Sequence, residues 1–360
     1  MNRQNEHKPE DNREKTKKFF EGLDKMANNK KVIMNDAGNA GYFRMKRNSE
    51  WIEEARIEPI PNMLFSEFFY EKEVCILFAG TNKGKSILAV QIADSIGRGV
   101  PIEGFKLEAP AQPVLYIDFE LSHKQFENRY SKDYADHYPW HDNCYRAEIN
   151  YKNILPEGVD TEKVVNDAID DMIAETGAKI IIVDNLTYLK DETEKAKFAA
   201  PLMRHLKNLK ELYGLTFLLL AHTPKRDTSK PLNENDLFGS KQFMNLTDSA
   251  FAIGQSVTDK SLVYLKQIKQ RQKEEMYGED NVVLMQRSKP NNFLKMELVG
   301  YGKEWDHLKT RNNDTETREV AEIMDMYNGN ASLRDIATKK QMSYSKVQKI
   351  VNDNKDKINR

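Results

Sequence analysis

Short apolar runs alternate with helix-length amphipathic segments through the middle of this chain. "PVLYIDFE", "AKIIIVDNL" and "LTFLLLAH" have the length of strands that are buried on both faces. "KSILAVQIADSIGRG" and "VVNDAIDDMIAETG" have the periodicity of amphipathic helices. Buried strands joined by helical crossovers form parallel sheets. The pattern therefore predicts an α/β domain with a mostly parallel central sheet.

The later strands follow one another more closely than the earlier ones. "DSAFAIGQ", "LVYLKQI" and "NVVLMQRS" have no helix-length segment between them. Antiparallel strands can be joined by short connections, whereas parallel strands need a crossover. We therefore expect this edge of the sheet to be antiparallel.

The two ends of the chain differ from this middle part. Residues 1–45 are polar and charged with little apolar periodicity, which predicts a mobile arm with one short helix around residues 19–26. Residues 46–305 form the predicted core domain, residues 306–316 a polar linker, and residues 317–360 a small all-helical unit.

Composition narrows the possible settings. The net charge of −1 gives no general attraction to nucleic acid, so any such binding would depend on local basic patches. Two cysteines, Cys75 and Cys144, are too few for a disulfide framework, which favours a reduced, cytoplasmic setting. The apolar runs are shorter than the ~20 residues that span a bilayer, so we expect a soluble protein without a membrane partner.

The segment "CILFAGTNKGKSILAV" has the parts of a phosphate-binding loop. An apolar strand leads into a loop with Gly84, then Lys85 for the β- and γ-phosphate charge, Ser86 for Mg²⁺, and a helix. Ala79 stands where such loops commonly begin with glycine, and a small residue suffices there if φ is negative. The pattern predicts an ATP and Mg²⁺ site. Its predicted nucleotide-binding residues are Gly80, Thr81, Asn82, Lys83, Gly84, Lys85, Ser86 and Ile87.

Two acidic residues end neighbouring apolar strands. Asp184 ends "KIIIVD", where a carboxylate would hold Mg²⁺ together with Ser86. The next residue is Asn185 and not a glutamate, so the acid that activates water must lie elsewhere. Glu120, after "PVLYIDF", is the candidate, because ligands of open α/β sheets collect at the carboxyl ends of the strands.

These motifs carry a resemblance to a known family. From about residue 62 to residue 300 the chain resembles the RecA-like hexameric helicase ATPases, in particular the RepA-type and DnaB-type replicative helicases of plasmids and other mobile elements, within the wider AAA class of P-loop ATPases. The resemblance implies a RecA-like P-loop fold, DNA-dependent ATP hydrolysis and assembly into a homo-oligomer, with a hexamer expected. "DLFGSKQFMNLTDSAFAI" resembles a serine-and-aspartate segment of that family, with Gly239, Ser240 and Asp248 matching.

The same resemblance assigns further catalytic residues. His222, at the end of "FLLLAH", matches a polar sensor residue between nucleotide and DNA loops. Lys269 and Arg271, two apart in "YLKQIKQRQ", match basic residues that reach the γ-phosphate of the neighbouring subunit. The family's glycine after this arginine is absent here, since Gln272 and Lys273 follow.

Two regions are candidates for contact with DNA. The loop "TPKRDTSKPLNEND" resembles the segment that tracks single-stranded DNA in the central channel of such rings, and it lacks aromatic stacking platforms. Residues 317–360 resemble a helix-turn-helix in which Ser343 caps the last helix, or alternatively a small protein-interaction module. The predicted DNA-binding residues are Lys225, Arg226, Lys230, Lys241, Tyr344, Lys346 and Lys349.

Three functions are compatible with these patterns. The first is an ATP-driven DNA helicase or translocase, a ring that serves replication of a mobile element. The second is a RecA-like ATPase that regulates or loads other proteins without unwinding. The third is a replication-control protein whose helix-turn-helix binds DNA and whose nucleotide site only gates that binding.

Overall fold

The structure is a computed structural model that describes residues 21, 39–40, 43–150, 161–185, 192–237, 240–309 and 313–354. The predicted arm and the helix expected around residues 19–26 lie mostly outside the described residues. The chain divides into two compact units, one of Met1–Asp227 with Pro231–His307 and one of Thr228–Lys230 with Leu308–Arg360. Each unit is a structure of its own.

A nine-stranded sheet is the centre of the first unit. Its strands are β1 (Val74–Ala79), β2 (Val114–Asp118), β3 (Cys144–Glu148), β4 (Ile180–Asp184), β5 (Thr216–His222), β6 (Ser249–Gln255), β7 (Leu262–Lys269), β8 (Val282–Ser288) and β9 (Lys295–Gly302). The spatial order is β9-β8-β7-β6-β1-β5-β4-β2-β3. From β6 to β3 all pairs are parallel, and from β6 to β9 all are antiparallel. The predicted α/β fold with a mostly parallel sheet and one antiparallel edge is confirmed.

Helices cover this sheet, as the apolar character of its central strands requires. Every residue of β1 and β4 is buried, because neither face of these strands meets water. The helices of this unit are α1 (Asn48–Arg56), α2 (Lys85–Arg98), α3 (His123–Arg129), α4 (Thr161–Thr176), α5 (Glu192–Tyr213) and α6 (Ser240–Leu246). Helix α2, which follows β1 directly, is buried along nearly its whole length.

Smaller elements complete the unit. Two-residue and three-residue strands form hairpins at Asn39–Ala40 with Phe43–Arg44, Met63–Phe65 with Phe69–Tyr70, and Ser131–Lys132 with Asp136–His137. Short 3₁₀ turns occupy Glu234–Asp236, Pro290–Asn292 and Glu304–His307. Among the described residues, no helix combines the length and the apolarity that crossing a membrane requires.

The parallel strands end level with one another, and this positions the functional site. In the registers of the sheet, His222 lies opposite Ala79 and Asp184 lies opposite Asp118. Polar residues that are far apart in sequence are thereby brought to one edge of the sheet. Ligands of open α/β sheets bind at this carboxyl edge.

The second unit contains three described helices, α7 (Asn313–Asn328), α8 (Leu333–Lys339) and α9 (Tyr344–Asn354). Ser332 Oγ accepts the Asp335 N–H at 3.2 Å, and Ser343 Oγ accepts the Lys346 N–H at 3.3 Å, so hydroxyl groups cap the starts of α8 and α9. The predicted all-helical character of this unit is confirmed. Its small core consists of Ile323, Met324, Ile336, Ala337, Val347 and Val351.

Glu73, just before β1, is a fully buried carboxyl group at the amino edge of the sheet. Its Oε1 atom accepts the Tyr70 N–H at 2.9 Å and the Ser249 hydroxyl at 2.7 Å, whereas Oε2 has no hydrogen-bond partner among the described residues. Burial raises the pKa of Glu73 to about 8, although both hydrogen bonds and Lys210 lower it. The folded protein therefore holds this group protonated at neutral pH.

We expect this burial to make stability depend on pH through Glu73. Between the ordinary pKa of 4.5 and the folded pKa of about 8, the folded protein holds a proton that the unfolded chain has lost. Stability therefore falls as pH rises in this window, by up to about 1.4 kcal/mol per pH unit. Glu73→Gln lacks this pH-dependent contribution to the free energy of unfolding. Denaturant unfolding from pH 5 to pH 9 should show its stability relative to wild type increasing up to about pH 8.

An exposed acid provides the matched control for this prediction. Glu103→Gln changes the same functional group at an exposed position and should show no such trend with pH. A difference between wild type and Glu73→Gln that stays constant from pH 5 to pH 9 would show that Glu73 is ionised in the folded protein.

Candidate nucleotide-binding site

The predicted phosphate loop lies between β1 and α2 at the carboxyl edge of the sheet. Strand β1 ends at Ala79 and helix α2 begins at Lys85, so the loop consists of the residues between them. Ala79 is buried inside the strand and is not among the residues with positive φ. A glycine is therefore unnecessary at this first position.

Gly84, in contrast, has a backbone conformation that other residues rarely adopt. Its φ is 97°, in the left-handed region that favours glycine. A Cβ atom at this position would lie 1.9 Å from Met296 Cε, at the end of a side chain on edge strand β9. Another residue at position 84 would therefore strain the backbone and displace the end of the Met296 side chain. Gly80, Thr81, Asn82 and Lys83 lie at least partly exposed before it, while Ile87 packs into the core.

Lys85 extends its ammonium group across the end of the sheet. Its Nζ atom donates to the Ala79 carbonyl at 3.2 Å and lies 3.1 Å from His222 Nδ1. Burial lowers the pKa of Lys85, and the carboxylates of Asp184 and Glu120 act in the opposite direction. The structure thus brings together the ammonium of Lys85, the carboxylates of Asp184 and Glu120 and the ring of His222, which lie at the end of the phosphate loop and at the ends of three strands.

Asp184 and Ser86 fit the role of metal ligands. Asp184 is fully buried, its Oδ2 atom accepts the Tyr116 hydroxyl at 2.6 Å, and its Oδ1 atom has no hydrogen-bond partner among the described residues. Burial raises its pKa to about 6, and the hydroxyls of Ser86 and Tyr116 lower it. A carboxylate oxygen left without a partner beside a serine hydroxyl matches the oxygen ligands that Mg²⁺ prefers.

Glu120 is held by two side chains at the ends of neighbouring strands. His222 Nε2 lies 3.2 Å from Glu120 Oε1, and the Asn185 side-chain amide donates to the same oxygen. The hydrogen bond with His222 is the main cause that lowers the pKa of Glu120. An ionised carboxylate, 32% exposed, is available at this edge to accept a proton.

Residues that the sequence argument did not select hold Glu120 in place. Asp118 Oδ1 accepts the backbone N–H groups of Glu120 and Leu121, both at 2.9 Å. Arg146, on edge strand β3, donates its Nε–H to Asp118 Oδ2 at 3.0 Å and an Nη2–H to the Leu121 carbonyl at 2.6 Å. The turn that carries Glu120 is therefore fixed by a buried ion pair.

Only some of these residues have a signal in the sequence. Asp118 was visible as a second acid in "YIDFE", two residues before Glu120. Asn185 appears in the sequence only as the absence of a glutamate after Asp184, and nothing there indicates that its amide donates to Glu120. Arg146 and Tyr116 gave no signal, because their importance depends on the register between strands.

Lys269 and Arg271 do not join this cluster. Arg271 Nη1 lies 3.5 Å from Asp248 Oδ1, and the other oxygen of Asp248 accepts the Val74 N–H. Val74 begins β1, so Arg271 lies near the amino edge of the sheet, about 16 Å along the strand from Ala79 at ~3.3 Å per residue. The side chain of Arg271 is 51% exposed.

Lys269 lies on the same amino edge and is more enclosed. Its Nζ atom donates to the Met244 carbonyl, in the last turn of α6, and to the Thr247 carbonyl at 2.7 Å, directly after that helix. Burial, followed by the nearby charge of Arg271, lowers the pKa of Lys269. Neither residue can reach the phosphate loop of its own chain from this edge.

The candidate DNA-binding residues occupy several environments. Lys225 is exposed in the segment after β5, whereas Arg226 is largely buried and pairs with Asp236 at 3.1 Å. Lys230 is exposed and belongs to the second unit. Ser240 and Lys241 lie in α6, and their side chains are outside the described residues. Gly239 is outside the described residues entirely. The three candidates on α9, which are Tyr344, Lys346 and Lys349, are all exposed.

Comparison with known proteins identifies a family. A family model of the AAA domain matches residues 44–228, which is more than half of the chain. No curated protein matches the sequence. The matched segment contains the phosphate loop, Glu120, Asp184 and His222, which are the residues gathered at the carboxyl edge of the sheet. The chain therefore belongs to the AAA-domain family of P-loop ATPases.

Proposed function

We propose that this protein is an ATP-hydrolysing DNA helicase or translocase, a homo-oligomeric ring, with a hexamer expected, that serves replication of a mobile genetic element such as a plasmid. One observation carries the proposal. Lys85, Glu120 and His222 lie at the carboxyl edge of the sheet, whereas Arg271 lies exposed at the amino edge. An arginine in that position cannot reach the phosphate loop of its own chain, so the role in hydrolysis that we propose for it is in the site of a neighbouring subunit.

The contacts at the carboxyl edge support hydrolysis in which Glu120 is the general base. Water attacks the γ-phosphorus, Glu120 accepts its proton, and the bond to the β–γ bridging oxygen breaks to leave ADP and phosphate. Lys85 offsets charge on the β- and γ-phosphates. A bound Mg²⁺, held by Ser86 and Asp184, would neutralise further phosphate charge.

His222 supports a link between hydrolysis and a second ligand. Its two ring nitrogens face different groups, Nδ1 at 3.1 Å from Lys85 Nζ and Nε2 at 3.2 Å from Glu120 Oε1. The segment that begins one residue later carries Lys225. Movement of the γ-phosphate would therefore change the hydrogen bonds of a residue directly adjacent to the proposed DNA segment.

A trans arginine makes hydrolysis depend on assembly. A guanidinium is always charged, and its planar donors match phosphate oxygens. In the proposed ring, Arg271 of one subunit stabilises transition-state charge in the site of the next, which is the role of an arginine finger. The weak pairing of Arg271 with Asp248, at 3.5 Å and half exposed, leaves the side chain able to move to such a partner.

We expect Glu120→Gln to bind ATP and hydrolyse it roughly 10²- to 10⁴-fold more slowly, because the amide cannot accept the proton of water. The amide keeps the size of the side chain and one oxygen acceptor. The measurement is steady-state phosphate release together with the Kd of an ATP analogue. Turnover equal to wild type would move the general base to another acid.

Lys85→Ala should lose both nucleotide affinity and hydrolysis, because it removes a buried phosphate-binding cation. Circular dichroism and thermal unfolding serve to check that the variant is folded. A folded Lys85→Ala protein that hydrolyses ATP at the wild-type rate would mean that nucleotide binds elsewhere.

The trans position of Arg271 has its own test. Arg271→Ala should keep ATP affinity but lose roughly 10³-fold in turnover, the scale of an arginine finger. Mixing Arg271→Ala with Lys85→Ala should restore part of the activity, because some interfaces pair an intact loop with an intact finger. Arg56→Ala is the matched control, because it removes an exposed arginine whose ion pair among the described residues is with Glu53 at 3.0 Å.

A strand-displacement assay separates the helicase from the other two functions. With a forked DNA substrate and ATP, wild type should displace a strand, and Glu120→Gln should not. Particle imaging with ATP and single-stranded DNA should show rings. ATP hydrolysis without displacement or ring formation would favour the regulatory ATPase, and binding of duplex DNA through residues 317–360 alone would favour replication control.

A further inference from the structure

The antiparallel strands β8 and β9 lie directly beside the phosphate loop. Gln91, in α2, exchanges two hydrogen bonds with the backbone of Met296: its side-chain amide donates to the Met296 carbonyl at 3.0 Å, and its oxygen accepts the Met296 N–H at 2.9 Å. The Met296 side chain, 1% exposed, lies against Gly84. These two hydrogen bonds therefore fix strand β9 to α2, the helix that follows the phosphate loop.

Arg287 is the residue of β8 directly opposite Met296. Directly opposed residues of an antiparallel pair project to the same face of the sheet. Arg287 therefore lies on the phosphate-loop side. Its Nη2 atom donates to the Asn82 carbonyl at 3.2 Å, within the loop itself, and lies 3.8 Å from where a Cβ of residue 84 would be.

The charge of Arg287 is not neutralised by any acid among the described residues. Other arginines near the sheet are paired, Arg146 with Asp118 at 2.9 Å and Arg226 with Asp236 at 3.1 Å. Arg287 is exposed and makes its one described hydrogen bond through a single Nη2–H. A guanidinium has five N–H donors, so several remain for another acceptor at the loop.

We propose that Arg287 binds the phosphate chain of the nucleotide held by its own phosphate loop. The inference rests on the nucleotide site of the proposed function and adds to it a second cation, supplied in cis. The bond to the Asn82 carbonyl fixes one side of the planar group, and the remaining donors face phosphate oxygens. Arg287 thus differs from Arg271, which lies at the opposite edge of the sheet and would act in trans.

Nucleotide binding by single-residue variants tests this assignment. Binding of ATP, as a non-hydrolysable analogue, and of ADP is measured by titration calorimetry for wild type, Arg287→Ala, Arg287→Lys, Lys85→Ala and the control Arg56→Ala. Arg287→Ala should bind about 10- to 100-fold more weakly, the range for a hydrogen bond to a charged group. Arg287→Lys should recover only part of this loss, because lysine lacks the planar fork. Arg56→Ala should match wild type.

A mixing experiment separates action in cis from action in trans. At an ATP concentration above the Kd of wild type but below that of Arg287→Ala, a mixture of Arg287→Ala with Lys85→Ala should be no more active than its components, because each site in the mixture lacks one of two residues that its own chain must supply. Under the same conditions Arg271→Ala mixed with Lys85→Ala should regain activity. Recovery in the Arg287→Ala mixture would place Arg287 in trans and overturn the proposal.

The outcomes also distinguish failure of this inference from failure of the proposed function. If Lys85→Ala binds nucleotide as tightly as wild type, the assignment of the nucleotide site to the phosphate loop is wrong. If Lys85→Ala loses binding while Arg287→Ala keeps wild-type affinity, only the role of Arg287 is wrong. If Arg287→Ala loses affinity for single-stranded DNA while its nucleotide affinity is unchanged, the guanidinium binds nucleic acid. That result would also overturn the proposal that Arg287 binds the nucleotide.

Discussion

The burial of one ammonium group, that of Lys85, is the constraint on which the candidate site depends. Removing a charge from water is costly unless hydrogen bonds and opposite charges replace the solvent. Around Lys85 these are the Ala79 carbonyl at 3.2 Å, the His222 ring at 3.1 Å, and the carboxylates of Asp184 and Glu120. The stability of the fold at this edge and the phosphate-binding role proposed for the lysine therefore require the same surroundings.

The parallel sheet supplies those surroundings because its strands end in register. Asp184 pairs with Asp118 across β4 and β2, and His222 pairs with Ala79 across β5 and β1. A slip of one residue in either pair would turn the side chains to the opposite face. The buried strands resist such a slip, since their apolar residues are enclosed on both faces. Packing in the core thus fixes the positions of polar groups at the edge.

The predictable part of the fold followed from patterns that are local in sequence. The apolar runs identified every strand of the sheet except the edge strands β3 and β9, and the segments between the runs indicated the parallel pairing and the antiparallel edge. The phosphate loop was visible for the same reason, since Gly84, Lys85 and Ser86 are consecutive. Asp184 and Glu120 could be selected because each ends an apolar run. These features depend on neighbours in the chain, and the sequence displays such neighbours directly.

The unpredicted part depends on pairs that meet only in three dimensions. Arg146 contacts the turn of Glu120 because β3 pairs with β2, and Arg287 contacts the phosphate loop because β8 and β9 lie beside α2. Neither arginine belongs to a motif with the residue that it touches. Arg226 shows the converse: it looked like a free basic residue in a polar loop, yet it is largely buried against Asp236. Charge composition alone does not reveal which cations are already neutralised.

The antiparallel edge connects these observations, because it brings two arginines to opposite ends of one sheet. Strand β7 runs from the carboxyl edge to the amino edge and ends near Arg271, and β8 runs back and ends near Arg287. A chain that reverses direction in this way can place one guanidinium beside its own phosphate loop and another about 16 Å away along the strands. Both strands follow the segment that the AAA-domain model matches, which ends at residue 228. The positions of both arginines therefore depend on strands that complete the sheet beyond the matched segment, and the roles proposed for them in cis and in trans depend on the same strands.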